Sequence, residues 1–582
     1  MNLSGPLSSL PSRISNDGVL NQLLGKKNAE VAVSEAARAF FIAGLAEVSN
    51  QAPLLVVTPS ANEAEILGND LQVWLGEGRV GAFPAWETLP FERVSPGIET
   101  MGRRVDFLSR LTRGRSPDVV VAPIRALLQR LTGDTSETEV LEVHRGGTAD
   151  LSALSELFVA LGYRRESQVE HRGEFAVRGG IMDIFPATAD SPIRLDLWGD
   201  EVERLTEFSV GDQRSTSEIS SVTIAPAREM RPTLAIRERA KELIASEPWG
   251  REQWERVAEG QLFDGMESWL PWLASEELVP ADLLSSEALV LLIDPKRLKD
   301  RSLDLIAEET DLARTLASTW QALDDRGNPR PFPGLHVPFE RMLKKCVASV
   351  WAIDSIPTGP TQPKFETIPW ETAAGSPMRL LDQVRELSIS PDQRLVVAAN
   401  GPGSAQRMAK TLRSESIDLQ VHETDTYGGE AGGHAVAAPL ERGFIAPTLA
   451  LAVLTERDIT GRRQTHRPVR PRSGSQRTFE DLQPGDHVVH HHHGVARYSG
   501  MEHRTLMGSE RDYLVLDFKG TDKLYLPSDQ IELIRPYTGG ETPARSRMGG
   551  TDFAKQKARV RDVVSEIAQE LVVLYQSRLN TS

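Results

Sequence analysis

The sequence predicts a multidomain α/β protein that ends in a small β-barrel and a long helix. Three observations support this fold class. Strand-like and helix-like segments alternate over the first 150 residues or so, short strands cluster between residues 173 and 210, and more short strands lie between residues 488 and 527. With 582 residues the chain is too long for a single core, so we expect three to five domains.

Residues 1–147 predict the first part of a parallel sheet covered by helices. Apolar runs alternate with helical patterns in the order strand, helix, strand, helix, strand: 54–57, a helix capped by Ser60, 79–83, 99–112 and 118–122. The first and last of these strands are apolar throughout rather than alternating, which is typical of strands buried on both faces. The order therefore predicts a doubly wound parallel sheet.

Changes of periodicity and composition divide the rest of the chain. Clustered short strands after a helix at 151–161 predict an inserted α+β domain, after which the α/β pattern of the first domain returns. A proline-rich stretch at 357–363 and an arginine-rich stretch at 461–477 predict linkers. The predicted order is an inserted domain (148–215), the second part of the first domain (216–356), a small α/β domain (364–456), a basic linker (457–478), a β-barrel (479–545) and a long helix (551–582).

The barrel is predicted from alternation over a few short strands. Leu514, Leu516 and Phe518 share one face of a strand, and the pattern resumes after a turn at 519–522 until Pro527 ends the pairing. Short strands at this spacing are typical of a small SH3- or Tudor-like barrel. Such a barrel has no room for an active site, so the alternatives are a docking surface and a structural spacer.

Composition limits the function classes. The single cysteine, Cys346, excludes an internal disulfide framework and fits a reducing, cytoplasmic environment. The net charge of −16 argues against a surface that binds nucleic acid as a whole. No apolar run reaches membrane-spanning length, so no membrane partner is expected.

Residues 32–39 lie where a phosphate-binding loop would be expected, between a short strand and a helix. The segment has alanine or glutamate, including Glu35 and Ala37, where glycines are needed, Arg38 in the lysine position and Ala39 in place of the hydroxyl residue. A P-loop needs those residues to hold phosphates and magnesium. Spacing alone favours an unrelated helix start. Under either interpretation we expect no ATP hydrolysis and no cofactor in this chain.

A basic cluster with aromatic neighbours occupies the predicted inserted domain. It comprises Arg164, Arg165, Arg172 and Arg178 beside Phe175 and Phe185. Arginines mixed with aromatic residues are typical of protein–protein hot spots. The alternative assigns the phenylalanines to the core as alternate strand positions, which leaves the arginines as the better interface candidates.

The histidines at 487–493 could suggest a metal site and four tryptophans a base-stacking site, but the sequence pattern favours neither interpretation. His487 and the histidines at 490–493 lack acidic or cysteine partners at ligand spacing, so no metal site is expected and a solvated strand edge is favoured. Trp249, Trp254, Trp269 and Trp272 have helical spacing and mixed apolar neighbours, which favours core packing over base stacking.

Three sequence blocks resemble known families. GDHVVHHHHGVARYSGM, with DYLVLDF and DKLYLPSDQIELI after it, resembles the RNA-polymerase-interacting domain shared by CarD-type regulators and transcription-repair coupling factors. Upstream, QVEHRGEFAVRGGIMDIFP and RLDLWGDEVERLTEFSVGDQRS resemble the nucleotide-excision-repair protein UvrB. UvrB has a long damage-probing hairpin near residues 83–92, whereas this chain runs straight to the helix at Glu99. The combination favours the coupling factors.

The resemblance implies two partners. The inserted domain would bind UvrA, with Arg164, Arg165, Arg172, Phe175, Arg178 and Asp183 as candidate contacts. The barrel would bind the β subunit of RNA polymerase, with Arg497, Tyr498, Arg504, Leu506 and Met507 as candidate contacts, the last three in a predicted loop at 503–508. The loop at 32–39 becomes a degenerate nucleotide loop in a UvrB- or helicase-like domain only through this resemblance.

The resemblance also implies a motor that this chain lacks. In coupling factors an ATP-driven translocase, which uses ATP and magnesium, acts on double-stranded DNA and displaces a stalled polymerase. The alternative function is a CarD-like transcription regulator without a repair role, which would have no reason to carry the UvrB-like segment.

Overall fold

The computed structural model describes residues 4–91, 93–133, 140–274, 276–320, 322–324, 326–370, 377–422, 426–460, 485–490, 494–506, 509–520, 523–527, 534–536 and 545. The chain forms two compact units, Met1–Arg463 and Gln464–Ser582. The boundary between the units falls inside the predicted basic linker. Of that linker, residues 457–460 belong to a short helix, and the rest lies outside the described residues, as does the predicted long helix at 551–582.

Twenty-four strands are named along the described chain. They are β1 (Asn28–Ala32), β2 (Leu54–Thr58), β3 (Val80–Ala82), β4 (Val119–Pro123), β5 (Leu141–His144), β6 (Arg164–Arg165), β7 (Glu174–Arg178), β8 (Ile181–Ile184), β9 (Ile193–Trp198), β10 (Glu201–Phe208), β11 (Ser215–Glu218), β12 (Ser221–Ile224), β13 (Leu289–Ile293), β14 (Ser349–Asp354), β15 (Arg394–Ala399), β16 (Gln420–His422), β17 (Gly432–Ala437), β18 (Phe444–Ala446), β19 (Leu451–Thr455), β20 (His487–His490), β21 (Gly494–Leu506), β22 (Ser509–Asp517), β23 (Lys523–Pro527) and β24 (Ile534–Pro536).

The α-helices lie in the first unit as far as the structure describes the chain. They are α1 (Gly18–Leu23), α2 (Arg38–Val48), α3 (Ala61–Leu75), α4 (Ile98–Thr112), α5 (Ile124–Leu128), α6 (Leu151–Ala160), α7 (Leu234–Ser246), α8 (Arg251–Ala258), α9 (Leu270–Leu273), α10 (Pro295–Thr319), α11 (Phe339–Lys345), α12 (Pro377–Ile389), α13 (Pro402–Ser414) and α14 (Glu456–Thr460). Among the described residues, no helix is both long and apolar enough to cross a bilayer.

The first sheet is parallel throughout, with the strand order β1-β14-β13-β2-β4-β3. Alternate residues of its central strands enter two different cores, with Val56 on one side and Leu55 on the other. Burial on both faces is the reason that these strands read as uninterrupted apolar runs. Ser60 caps α3 by accepting a hydrogen bond from the Glu63 amide at 3.2 Å, as the capping pattern predicts.

The inserted unit contains a six-stranded sheet in the order β11-β10-β9-β8-β7-β6. It also includes the antiparallel pair β5–β12, which joins residues 141–144 to 221–224, so the unit is wider than the predicted 148–215. Buried arginine–carboxylate pairs tie its last segment to the parallel-sheet body. Arg104 of α4 holds Glu229 through two hydrogen bonds of 2.8 and 3.0 Å, and Arg228 holds Glu267 at 2.6 Å.

The small α/β domain has a mainly parallel sheet in the order β16-β17-β15-β19-β18. Its core is continuous with that of the parallel-sheet body, because the Phe444 ring lies 5.5 Å from Phe40 of α2 and 6.4 Å from Trp74 of α3. The two domains therefore share one hydrophobic core.

The tryptophans form a separate aromatic core, as predicted. Trp254, Trp269 and Trp272 are at most 4% exposed and pack with Trp249 and Trp320. The Arg93 guanidinium lies 3.9 Å from the Trp320 ring centroid. The rings therefore contact one another and an arginine of the same chain.

The second unit contains a five-stranded antiparallel sheet in the order β23-β22-β21-β20-β24. Leu514, Leu516 and Phe518 are all buried in its core, as the alternation predicts. Strand β21 continues to Leu506, which pairs with Ser509 of β22. The prediction of a loop at 503–508 is therefore wrong for residues 503–506, because the pairing of β21 with β22 continues as far as Leu506 and Ser509. Residues 507 and 508 lie outside the described residues.

Candidate functional site

The segment at 32–39 is a direct strand-to-helix connection. Strand β1 ends at Ala32, a single 3₁₀ turn covers Glu35–Ala37, and α2 begins at Arg38. The amide of Val33 donates to the Asp354 carbonyl at 2.8 Å, and that of Ala37 donates to the Ser34 carbonyl at 3.0 Å. These amides are engaged within the protein rather than directed at a common point.

Arg38 begins α2 and is engaged by two other side chains of the chain. Its side chain is 9% exposed, and its guanidinium donates to Asp294 Oδ2 at 3.2 Å and to Ser355 Oγ at 2.7 Å. Asp294 follows β13 and also accepts the Ser355 amide at 2.9 Å. The guanidinium therefore connects three neighbouring strand ends of the parallel sheet.

The other residues of this segment face the small α/β domain or the core. Glu35 pairs with Arg442 at 2.8 Å, and the Ser34 hydroxyl lies 2.8 Å from that of Thr367. Ala37 and Ala39 are buried in the shared core. The segment thus supplies contacts between two domains.

The arginines of the inserted unit differ in their surroundings. Arg164 and Arg165 form the exposed edge strand β6, and Arg164 has only a distant ion pair with Glu174 at 3.7 Å. Arg172 is only partly exposed. It binds the Ala189 carbonyl at 3.0 Å, lies 3.5 Å from Glu99 of α4 and covers the Phe185 ring. It therefore helps to hold the inserted unit against α4.

Phe175 and Asp183 are both fully buried. For Phe175 the structure favours the core alternative, because its side chain packs against Phe158 at a ring distance of 5.5 Å. Asp183 is held by Arg194 through hydrogen bonds of 2.7 and 3.0 Å and also by Arg178. Neither residue offers surface to a partner in this arrangement, whereas the Arg178 side chain remains 47% exposed.

Sequence reasoning missed Trp198, which is 78% exposed at the end of β9. The signal was present in the strand pattern: Ile193, Leu195 and Leu197 alternate inward, so Trp198 must point to the opposite face. Such exposure is unusual for an indole, which usually packs away from water.

In the second unit, the candidate polymerase contacts Arg497 and Tyr498 differ in exposure. Arg497 is exposed, whereas Tyr498 is 7% exposed within the core, where burial raises the pKa of its phenol. Tyr498 therefore packs in the core of the sheet and is not available as a polymerase contact. Arg504 and Leu506 lie in β21, and Met507 lies outside the described residues.

The histidine strand is not a solvated edge at its described end. His490 is 3% exposed and shares the inward face of β20 with Val488. His487 pairs with Arg497 of β21, and residues 491–493 lie outside the described part of the chain. Within that part, no group of three or more potential ligands converges on a metal position.

Comparison with known proteins identifies the classes of the two candidate docking regions. Residues 141–230 match the family model described as the UvrB interaction domain, and residues 482–538 match the CarD-like/TRCF RID domain. The first match covers the β5–β12 pair as well as the six-stranded sheet, in agreement with the wider limits of the inserted unit.

Proteins named transcription-repair-coupling factor match nearly the whole chain. The relative from Mycobacterium tuberculosis is 33% identical over 573 residues, which cover 91% of this chain and 46% of the relative. Those from Myxococcus xanthus and Bacillus subtilis are 30% and 26% identical, covering 91% and 97% of this chain. The chain spans about half the length of these relatives and is similar to the N-terminal portion of transcription-repair-coupling factors.

Proposed function

We propose that this chain provides the two docking regions of a transcription-coupled DNA repair factor. The inserted unit would bind UvrA, and the antiparallel sheet of the second unit would bind the β subunit of RNA polymerase. One observation carries the proposal. Both matched domains occur in one chain, and that chain aligns over nearly its whole length with proteins named transcription-repair-coupling factor.

The exposed arginines support the UvrA proposal. Arg164 and Arg165 lie on an edge strand with their charges free to meet an acidic partner surface, and Arg178 retains about half of its side-chain exposure. Charges at the rim of an interface mainly raise the association rate, and added salt screens this effect. We therefore retain these three arginines as contact candidates, with Arg172 as a positioning residue.

Binding of purified UvrA to the double variant Arg164→Glu/Arg165→Glu tests this assignment. We expect affinity to fall at least about tenfold at low ionic strength, with a smaller loss at high salt, because the charge reversal replaces attraction by repulsion. The charge-preserving Arg164→Lys/Arg165→Lys variant is the control. Equal affinity of the two variants would remove the edge strand from the interface.

Strand order supports the polymerase proposal. The arrangement β23-β22-β21-β20-β24 is that of a small SH3-like barrel, whose outer strands can pair with a strand of another protein. We propose that the sheet curls into a nearly closed barrel that leaves one edge strand unpaired, and that a polymerase strand adds to this edge. Arg497 lies on its outward side, and the hairpin end with Arg504, Leu506 and Met507 remains a candidate contact.

The variant Leu506→Arg separates docking from packing. A contact residue would lose polymerase binding with the melting temperature unchanged, whereas a core residue would lose stability first. Arg497→Glu tests the outward face in the same assay. Polymerase binding at wild-type strength by both folded variants would place the contact elsewhere on the unit.

We also propose that this chain hydrolyses no ATP. The Arg38 guanidinium is engaged by Asp294 and Ser355, and the amides of Val33 and Ala37 already donate to backbone carbonyls, which supports the absence of phosphate binding at 32–39. The expected result is no ATP turnover with or without DNA. Metal-dependent turnover that co-purifies with the chain and is lost on replacing Arg38 would contradict it.

The motor function is a proposal from the resemblance alone. An ATP- and magnesium-dependent translocase acting on double-stranded DNA would belong to the intact factor, and we assign no part of it to the described residues. A cytoplasmic location is proposed because both partners act there. The rival, a CarD-like regulator, leaves the UvrB interaction domain at 141–230 without a role. It predicts that UvrA does not bind.

A further inference from the structure

The six-stranded sheet of the inserted unit has two unlike faces. One face enters the core, with Val177, Met182 and Leu195 among its buried or half-buried residues. The opposite face is covered at one end by a small cluster that includes Val169 and Phe208. Toward the other end of the strands this outer face remains open.

Strand register places four side chains in one row across the open part of this face. Arg178 pairs with Ile181, Ile181 pairs with Asp196, and Asp196 pairs with Arg204. Since neighbouring strands lie about 4.8 Å apart, the row is roughly 15 Å long. It alternates positive, apolar, negative and positive groups.

Trp198 extends this row at the tip of the sheet. It lies two residues beyond Asp196 on the same face, pairs with Glu201 of β10, and is 78% exposed. The neighbouring Leu197 amide donates to the Gly180 carbonyl at 2.9 Å, so the strand is paired on both sides up to this point. The backbone that carries the indole therefore belongs to a paired strand rather than to a free loop.

Arg178 approaches a carboxylate that is already engaged. The buried Asp183 is held by two hydrogen bonds from Arg194, and Arg178 reaches the same carboxylate from the solvent side. One carboxylate thus serves two guanidiniums, and the Arg178 side chain stays 47% exposed on the face that carries Trp198. Tryptophan and arginine are among the residues most enriched at protein–protein hot spots.

We propose that Trp198 is the apolar anchor of the UvrA-docking surface and that Arg178, on the same face of the sheet, recognises an acidic group of UvrA. The occupant is a folded protein surface with a cleft for the indole and a carboxylate at its rim. This inference rests on the proposed function, because it assigns the residue that carries binding at the same inserted unit.

The test compares UvrA binding by the full 582-residue chain and two single variants. Trp198→Ala removes the anchor, and Ile356→Ala is the matched control because Ile356 is similarly exposed, at 77%, but lies outside the inserted unit. We expect Trp198→Ala to weaken binding at least about thirtyfold, the loss that defines a hot spot, and Ile356→Ala to change it less than twofold. Melting temperatures of both variants should equal that of the wild type, since neither side chain is buried.

The outcomes separate the inference from the function on which it rests. If the wild-type chain does not bind UvrA, the proposed function is wrong and the inference falls with it. If the wild type binds and Trp198→Ala binds equally well, only the inference is overturned and docking uses another face. A loss that appears equally in Ile356→Ala also overturns it.

Discussion

Arg38 makes an internal contact in the segment where the sequence suggests a degenerate nucleotide loop. Its guanidinium donates to Asp294 and Ser355 of the same chain. The sequence pattern revealed the arginine in the lysine position. It could not reveal the partners, because they follow strands more than 250 residues away.

Replacing Arg38 by Met should destabilise the protein without creating a nucleotide site. Asp294 is only 15% exposed in its side chain and would lose its closer cationic partner, keeping only Arg297 at 3.7 Å. Loss of one partner of a buried pair costs about 3 kcal/mol. Urea denaturation measures the loss. Arg251→Met, whose pair with Glu255 is exposed, is the control and should cost less than about 1 kcal/mol. Equal losses would show that the Arg38 contact contributes no more than a surface pair.

His336 predicts a pH dependence of stability. Burial lowers the pKa of His336 below its usual 6.5, although the hydrogen bond with Glu309 opposes the shift. Below pH 6.5 the unfolded chain therefore binds a proton that the folded chain does not, so the free energy of unfolding falls as the pH falls. The slope from this group is at most about 1.4 kcal/mol per pH unit.

Comparison of wild type with His336→Gln isolates this contribution. Between pH 7.5 and 5.5 the wild type should lose more stability than the variant, as measured by urea denaturation at each pH. His144→Gln is the control, because the His144 side chain is 59% exposed. Parallel pH profiles of wild type and His336→Gln would contradict the assignment.

At the scale of elements, helix α4 is fixed to the inserted unit by close packing. A Cβ added at Gly102 would overlap the Ala187 methyl group, and Arg104 of the same helix holds the buried Glu229. Gly102 is thus needed for space rather than for backbone freedom. Arg172 adds a contact with Glu99 at the start of α4.

Two glycine-to-alanine substitutions test this packing. Gly102→Ala should lower stability by about 1–3 kcal/mol through overpacking, despite the better helix propensity of alanine. Gly68→Ala in α3, where nothing lies within 4 Å of the new methyl group, should raise stability by about 0.5–1 kcal/mol. Thermal denaturation distinguishes the two. A stabilising effect of Gly102→Ala would mean that α4 can move away from Ala187 at no cost.

Elements defined by local signals were predicted well from the sequence. Strands β2 and β4 and helix α4 lie within one residue of their predicted bounds, because apolar runs and helical periodicity are carried by adjacent residues. The extent of the inserted unit was not predicted, since β5 finds its partner β12 only after the intervening sheet. Phe175 was placed at the interface although alternation also allowed a core position, and Trp198 was overlooked although the pattern of β9 places it opposite the inward residues.

At the scale of the whole molecule, the first unit combines a parallel-sheet body with the inserted unit and the small α/β domain. The segment at 32–39 serves as a contact between two of these domains, through Glu35–Arg442 and Ser34–Thr367. The proposed function asks only that the inserted unit and the sheet of the second unit each offer a surface to a partner. No chemical step is required of the described residues.

Capture of UvrA on immobilised RNA polymerase by this chain, without nucleotide, tests the central claim most directly. The account predicts that UvrA is retained when the chain is present and lost when it is omitted, because one chain then binds both partners. Retention should be unaffected by ATP. Failure to retain UvrA although the chain itself binds polymerase, or retention that requires ATP, would contradict the account.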